Sequence, residues 1–131
     1  MTAFVDATVL VRHLTGDPAE LAARATAFLY ETEQLLLTDV VAAETVIVLE
    51  SFYEAPRASV AQAMRSLVAF DKVVCVDGPV LLRAVEVYET AGIDFAAAYL
   101  VACAETTGVE RIVSFDQSLD SVLTIVRIEP P

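Results

Sequence analysis

The stretch LLLTDVVAAE at residues 35–44 predicts a short buried strand that runs directly into a helix. Three leucines form an apolar run, and Thr38 or Asp39 supplies an oxygen that caps the first helical turn. Other helices are predicted at residues 19–33, 59–70, 80–90 and 94–107, with a helical turn at 118–122. Further strands are predicted at residues 3–10 (running into a turn), 73–76, 112–115 and 125–128.

Short apolar strands that alternate with helices predict a parallel sheet covered on both faces. We therefore expect an α/β fold, with a central, mostly parallel sheet of about five short strands flanked by helices. The helix after Asp39 should reach residue 54, before Pro56, and residues 77–79 should form a break. In the helix predicted at residues 19–33, four apolar residues have helical spacing and are expected to face the core: Leu21, Ala25, Phe28 and Leu29.

Composition indicates one folded domain over residues 1–131. The chain has 131 residues, of which 56% are hydrophobic, so it can bury a substantial core and disorder is not expected. No apolar run reaches the roughly 18 residues of a membrane span. The first residues lack the basic region of a signal peptide, so we expect a cytoplasmic protein with no membrane partner.

Charge limits the classes of ligand. The formal net charge is −11, with eight basic and nineteen acidic residues, so the long-range field repels nucleic acid and any such contact must be local. The same acidity suits a basic protein partner. Two distant cysteines, Cys75 and Cys103, and one histidine, His13, nearly exclude a zinc site, and we expect His13 to be a surface or half-buried residue.

Four carboxylates occupy positions, next to or within apolar segments, where a charged side chain is not expected in an α/β chain unless it has a structural or functional role. Asp6 and Asp116 each end an apolar run, at the carboxyl ends of strands where ligands of such sheets gather. Glu44 has Val40, Val41, Ile47 and Val48 as its helical neighbours, and a carboxylate buried among them would need a partner such as a metal. Asp94 opens a helix and is by itself a good N-cap. Each also has a structural interpretation: Asp6 and Asp116 can cap the following turn, and Glu44 can reach solvent.

Together, such acids predict a divalent metal site. Mg²⁺ and Mn²⁺ prefer oxygen ligands and neutralise carboxylates that would otherwise repel one another. Bound ions of this kind promote attack on phosphate esters. Arg12 is a candidate phosphate contact near Asp6, although an ordinary surface arginine is an equal alternative.

Four motifs in this order resemble the PIN-domain ribonucleases, and specifically the VapC-type toxins of bacterial toxin–antitoxin pairs. The motifs are FVDATVLV at residues 4–11, LTDVVAAE at 37–44, DFAAAYLVA at 94–102 and IVSFD at 112–116 followed by Leu119, with a typical ending at 127–130. Each motif is weak by itself, but four in order over the whole chain are fairly specific.

The resemblance implies a metal-dependent endoribonuclease that hydrolyses RNA phosphodiester bonds. By analogy, Asp6, Glu44 and Asp116 would be catalytic and would hold Mg²⁺ or Mn²⁺, with Asp94 as a further metal ligand. It also implies a cognate antitoxin protein, a homodimer and a structured RNA substrate such as tRNA.

Two positions depart from the family pattern. Thr8 stands where Asn is common, a mild change because a hydroxyl can still hydrogen-bond. Ala97 stands where the family has a nearly obligatory acid, and its helical spacing points inward, so activity is expected to be weakened or lost. It could be an engineered silencing substitution, a natural loss, or a change for which Asp94 compensates; the otherwise intact acids favour the first.

Two other functions compete with an active nuclease. A non-catalytic PIN-fold module that binds an antitoxin or RNA would explain Ala97. A phosphoryl-transfer domain with an aspartate nucleophile is a weaker alternative. Such a domain normally needs a lysine late in the sheet to bind phosphate, whereas the only lysine, Lys72, precedes the third predicted strand.

Overall fold

The computed structural model describes residues 1–131 and confirms the α/β class. In chain order the elements are β1 (Thr2–Phe4), α1 (Ala7–Thr15), α2 (Ala19–Glu31), β2 (Gln34–Leu37), α3 (Asp39–Ser51), α4 (Arg57–Ala69), β3 (Val73–Cys75), α5 (Gly78–Ala91), α6 (Phe95–Thr107), β4 (Arg111–Val113), a 3₁₀ helix (Gln117–Ser121) and β5 (Val126–Ile128).

The chain divides into two compact units, unit 1 at Met1–Gly78 and unit 2 at Pro79–Pro131. That both units form one domain over residues 1–131 stays a prediction. None of the helices is both long enough and apolar enough to cross a membrane.

Unit 1 is organised by a parallel sheet in the order β1–β2–β3. Phe4 is in register with Leu36, and Leu37 with Cys75. The Val5 N–H donates to the Leu36 carbonyl at 3.1 Å, which extends the pairing one residue beyond β1. Parallel strands require crossover connections, and here the connecting segments carry the helices α1–α2 and α3–α4.

Unit 2 contains a separate parallel pair, in which β4 Arg111–Val113 is in register with β5 Val126–Ile128. The prediction of parallel strands is therefore confirmed, but the prediction of one central sheet of about five strands is wrong. The strands form hydrogen-bonded sheets of three and two. Strands of three or four residues carry few ladder bonds, so their sequence indicates that they are strands without indicating their partners.

The predicted strand at residues 3–10 is too long. β1 ends at Phe4, and α1 begins at Ala7 after Asp6, whose extended backbone (φ −98°, ψ 155°) is typical of an N-cap. Buried Ala7, Leu10 and Val11 have the i, i+3, i+4 spacing of a helix face. A continuous apolar run fits both strand and helix, which is why the sequence did not separate them.

Two other boundaries also differ from expectation. α3 ends at Ser51 rather than at residue 54, because Glu54 adopts a left-handed backbone (φ 52°) that a helix does not accommodate. The predicted break at residues 77–79 instead starts α5 at Gly78, since proline is well tolerated in a first helical turn.

The core of unit 1 lies between the sheet and its helices. α1 and α2 pack together, and His13 Nδ1 lies 2.8 Å from the Thr26 hydroxyl across this interface. On α2, Ala25 and Leu29 are buried as predicted, but Leu21 and Phe28 are 40% and 43% exposed. The inward face of α2 is instead completed by the buried Ala22.

Unit 2 is held by packing and by a charged pair. The rings of Tyr88 and Phe95 meet edge to face, with centroids 5.9 Å apart, and join α5 to α6. Arg83 donates to both carboxylate oxygens of Glu105, at 2.6 and 2.9 Å. The guanidinium of Arg83 lowers the pKa of Glu105, so this bidentate pair stays charged over a wide pH range.

We predict that the stability of the fold depends on pH through His13, the only histidine. Burial lowers the pKa of His13, so below about pH 6.5 the unfolded chain binds a proton that the folded chain resists. Thermal unfolding should therefore show stability falling as the pH drops through about 6.5, the pKa of histidine in the unfolded chain. His13→Gln, which keeps a hydrogen-bonding group for Thr26, should remove most of that slope; an equal slope in both proteins would contradict the assignment.

Candidate active site

Asp6 lies at the N-terminus of α1, two residues after β1 ends. Its exposed carboxylate accepts a hydrogen bond from the Thr8 hydroxyl at 2.7 Å. This bond is the main cause that holds the pKa of Asp6 below its ordinary value. Thr8 thus stabilises an ionised acid, and its hydroxyl does bond as the sequence indicated.

Glu44 belongs to the middle of α3, a helix whose start is fixed by the Thr38 hydroxyl accepting from the Val41 N–H at 3.2 Å. It lines a cleft of about 200 Å³ with Ala7 and Thr8 of α1. Ala7 directly follows Asp6, so Glu44 and Asp6 belong to neighbouring parts of unit 1.

The expectation that Glu44 is buried in an apolar stripe is wrong. Glu44 is exposed, as are its neighbours Val40 (77%) and Ile47 (59%). α3 buries the opposite side, with Ala42 and Val46 fully inaccessible. Because α3 is apolar on almost every side, periodicity did not identify which face is buried.

Asp94 acts as a helix cap in unit 2. Its Oδ1 accepts from the Ala97 N–H at 2.8 Å, which satisfies one of the free N–H groups at the start of α6. The capping role is therefore confirmed, and Oδ2 is the oxygen left for any ligand. Ala97 itself is only 6% exposed, in agreement with the inward direction predicted for this position.

Asp116 caps the 3₁₀ helix that follows β4. Its Oδ1 accepts from the Ser118 N–H at 3.0 Å, and its own N–H donates to the Ser114 hydroxyl at 2.9 Å. Hydrogen bonds from Ser118, and then the charge of Arg127, lower the pKa of Asp116. Arg127 is fixed in turn by its bidentate bonds to Asp120, at 2.8 and 3.1 Å.

These four acids divide equally between the units. Asp6 and Glu44 belong to unit 1, and Asp94 and Asp116 to unit 2. Neither unit by itself groups three or more Asp, Glu, His or Cys side chains closely enough to hold a metal ion. The accessible donors are carboxylate oxygens, which fit Mg²⁺ or Mn²⁺ better than a softer metal.

The structure places Arg12, the candidate phosphate contact, among polar groups that the sequence analysis did not assign. Arg12 Nη1 donates to the Tyr53 hydroxyl at 3.4 Å and to the Asp17 carbonyl at 3.3 Å. Tyr53 donates to the Asp17 carboxylate at 3.0 Å. Arg12 therefore faces the same cleft as Glu44, while a second arginine, Arg24, lines a groove on the other side of α1.

Comparison with known proteins identifies one family. The PIN domain family matches residues 3–123, a span that includes all four acids. No curated protein matches the sequence.

We predict that Thr8 sets the titration of Asp6. In Thr8→Val the hydroxyl donor is lost, so the pKa of Asp6 should rise toward the ordinary aspartate value of about 3.9. Carboxyl-carbon NMR titration in metal-free buffer measures this directly. The pKa of Asp116 is the internal control and should not move; an unchanged Asp6 would show that Thr8 is not its stabilising donor.

We predict that Asp94 contributes to stability through its cap. Asp94→Ala should lower the free energy of unfolding by about 1 kcal/mol, whereas Asp94→Asn, which can still accept from the Ala97 N–H, should cost only a few tenths. Urea unfolding measures both. Equal losses in the two variants would argue against the cap as the source of the effect.

Proposed function

The chain belongs to the PIN-domain family, and on this premise we propose that it has the fold of a VapC-type, metal-dependent endoribonuclease whose activity is weakened or abolished by Ala97. PIN domains are commonly metal-dependent nucleases. The observation that carries the proposal for this chain is Asp6, an exposed carboxylate that accepts a hydrogen bond from Thr8 beside the cleft that contains Glu44.

We assign Asp6, Glu44 and Asp116 to the binding of Mg²⁺ or Mn²⁺ and to catalysis, with Asp94 as a further ligand through Oδ2. The bound ion would supply Lewis-acid activation of the phosphodiester and of the attacking water. Asp6 and Asp116 have lowered pKa values, and like any exposed aspartate both are deprotonated near neutral pH. They would therefore bind a cation without first releasing a proton.

Ala97 is the feature that sets this chain apart from an intact PIN nuclease. A carboxylate at this 6% exposed position would pay a desolvation cost that a cation offsets. The methyl group of alanine contributes no charge there. The chain then keeps the fold and the four assigned acids but lacks one negative charge for the ion.

A basic antitoxin and a second copy of the chain are the partners we propose. A net charge of −11 favours a basic protein partner through electrostatic complementarity. Exposed Val40 and Ile47 on α3, with Phe52 just beyond it, supply apolar surface of the kind that protein interfaces bury. Free Cys75 and Cys103 agree with a cytoplasmic location.

The alternative function is a non-catalytic PIN module that binds an antitoxin or RNA. Ala97 is the observation that favours it, because the same substitution that weakens metal binding leaves the surfaces for partners unchanged.

Structured RNA such as tRNA is the substrate that the VapC resemblance favours. Membership of the PIN-domain family adds no support for an aspartate-based phosphoryl-transfer domain.

We predict that Ala97→Asp restores or strongly increases cleavage of RNA. A total-RNA pool is incubated with Mg²⁺ or Mn²⁺ and either the parent chain or the variant, and fragments are read by electrophoresis. Cleavage by the variant should exceed that of the parent by at least about a hundredfold and should stop with chelator, since an ion bound by carboxylates supplies several kcal/mol of transition-state stabilisation.

The matched control is Ala97→Asn, which has the shape of aspartate without its charge. Mn²⁺ should raise the unfolding temperature of Ala97→Asp more than that of Ala97→Asn, because only the former gains a charged ligand. If neither variant cuts RNA although Mn²⁺ stabilises Ala97→Asp, the non-catalytic module gains. If Mn²⁺ has no effect on any variant, the metal assignment is wrong.

A further inference from the structure

A groove of about 550 Å³ runs between α1 and α2 in unit 1. We call it the α1–α2 groove; α1 contributes Thr8 and Arg12, and α2 contributes Leu21, Arg24 and Phe28. It shares Thr8 and Arg12 with the smaller cleft that contains Glu44. The two depressions therefore lie on either side of the same stretch of α1.

The groove contains two of the eight basic residues of a strongly acidic chain. Arg24 makes no hydrogen bond and no salt bridge, and Arg12 bonds only to a carbonyl and a hydroxyl, at 3.3 and 3.4 Å. By contrast, Arg83 and Arg127 each bind two carboxylates. Among nineteen acidic residues, cations without a carboxylate partner in one groove indicate an anionic ligand.

The rest of the groove is apolar and aromatic. Leu21 and Phe28 are 40% and 43% exposed, and they are the α2 residues that were expected in the core. An exposed ring beside arginines that have no carboxylate partner is a combination by which proteins hold single-stranded nucleic acid. Arginines contact the phosphates, while a base stacks on the ring.

The position of Thr8 connects this groove to the proposed chemistry. Thr8, which lines the groove, also donates its hydroxyl to the carboxylate of Asp6, at 2.7 Å. A nucleotide chain in the groove would therefore approach Asp6 along α1. An acidic peptide would satisfy Arg12 and Arg24 as well, but it would have no reason to end at Asp6.

We propose that the α1–α2 groove binds single-stranded RNA next to the phosphodiester that is cut, with Arg24 and Arg12 on the phosphates and Phe28 stacked on a base. This assignment rests on the proposed nuclease function and adds to it the form of the substrate at the site. An unpaired segment is required, since bases within a duplex do not expose a face to Phe28.

The test measures binding of a fluorescein-labelled 12-nucleotide single-stranded RNA by anisotropy, in EDTA so that no cleavage occurs. The parent chain is compared with Arg24→Gln, Arg24→Lys and Phe28→Leu across a series of salt concentrations. Arg111→Gln is the matched control, because Arg111 also makes no salt bridge or hydrogen bond through its side chain but belongs to unit 2.

Arg24→Gln should weaken binding by about tenfold and lower the slope of log K against log salt by about 0.7, the value for one phosphate contact on a single strand. Arg24→Lys should keep the slope, and Phe28→Leu should cost about fivefold or more without changing it. Arg111→Gln should change affinity by less than about twofold, and an RNA duplex of the same length should compete poorly.

The groove assignment is overturned if Arg24→Gln and Phe28→Leu bind the RNA as the parent does, or if the parent does not bind it at all. Cleavage by Ala97→Asp in that case would leave the nuclease function standing. Conversely, Arg24-dependent binding without cleavage by Ala97→Asp would support the groove and refute the nuclease. If Arg24→Gln binds an acidic helical peptide more weakly than the parent does but binds RNA equally well, the groove is a protein-binding site and the proposal is overturned.

Discussion

Parallel pairing of β1, β2 and β3 is the constraint on which unit 1 depends. With Phe4 beside Leu36 and Leu37 beside Cys75, the chain leaves all three strands at the same edge of the sheet. Two of those exits lead into helix N-termini, at Asp6 before α1 and at Thr38 before α3. The Thr38 side chain caps α3, whereas the Asp6 carboxylate makes no cap hydrogen bond and accepts instead from the Thr8 hydroxyl, at the edge where ligands of parallel sheets collect.

Local hydrogen-bond donors, rather than long-range charge, control the acids of this chain. At a net charge of −11 the surrounding field disfavours ionised carboxylates. Asp6 and Asp116 nevertheless have lowered pKa values, because Thr8 and Ser118 donate to them at close range. Asp116 is both a helix cap and a candidate ligand, so the structural and functional interpretations of that acid do not exclude each other, whereas the Asp6 side chain makes no cap hydrogen bond.

Thr8 connects the two halves of the functional proposal. It donates to Asp6, lines the cleft with Glu44 and borders the α1–α2 groove that contains Arg24. A single turn of α1 would thereby serve both the metal ligand and the approach of the RNA. On the proposed function, Ala97 would affect only the first of these, so a chain weakened in catalysis would still bind nucleic acid.

The sequence by itself determined the α/β class, the approximate positions of the helices other than α1, the cap at Asp94 and the inward direction of Ala97, because capping and apolar spacing act within a few residues. Tertiary structure decided which side of α3 is buried, how the strands pair, and that α1 rather than a strand follows Asp6. Apolar residues on every side of α3 and an apolar run after Asp6 are compatible with more than one local structure. Only packing against the sheet and neighbouring helices selects among them, and that selection exposes Glu44 and Phe28.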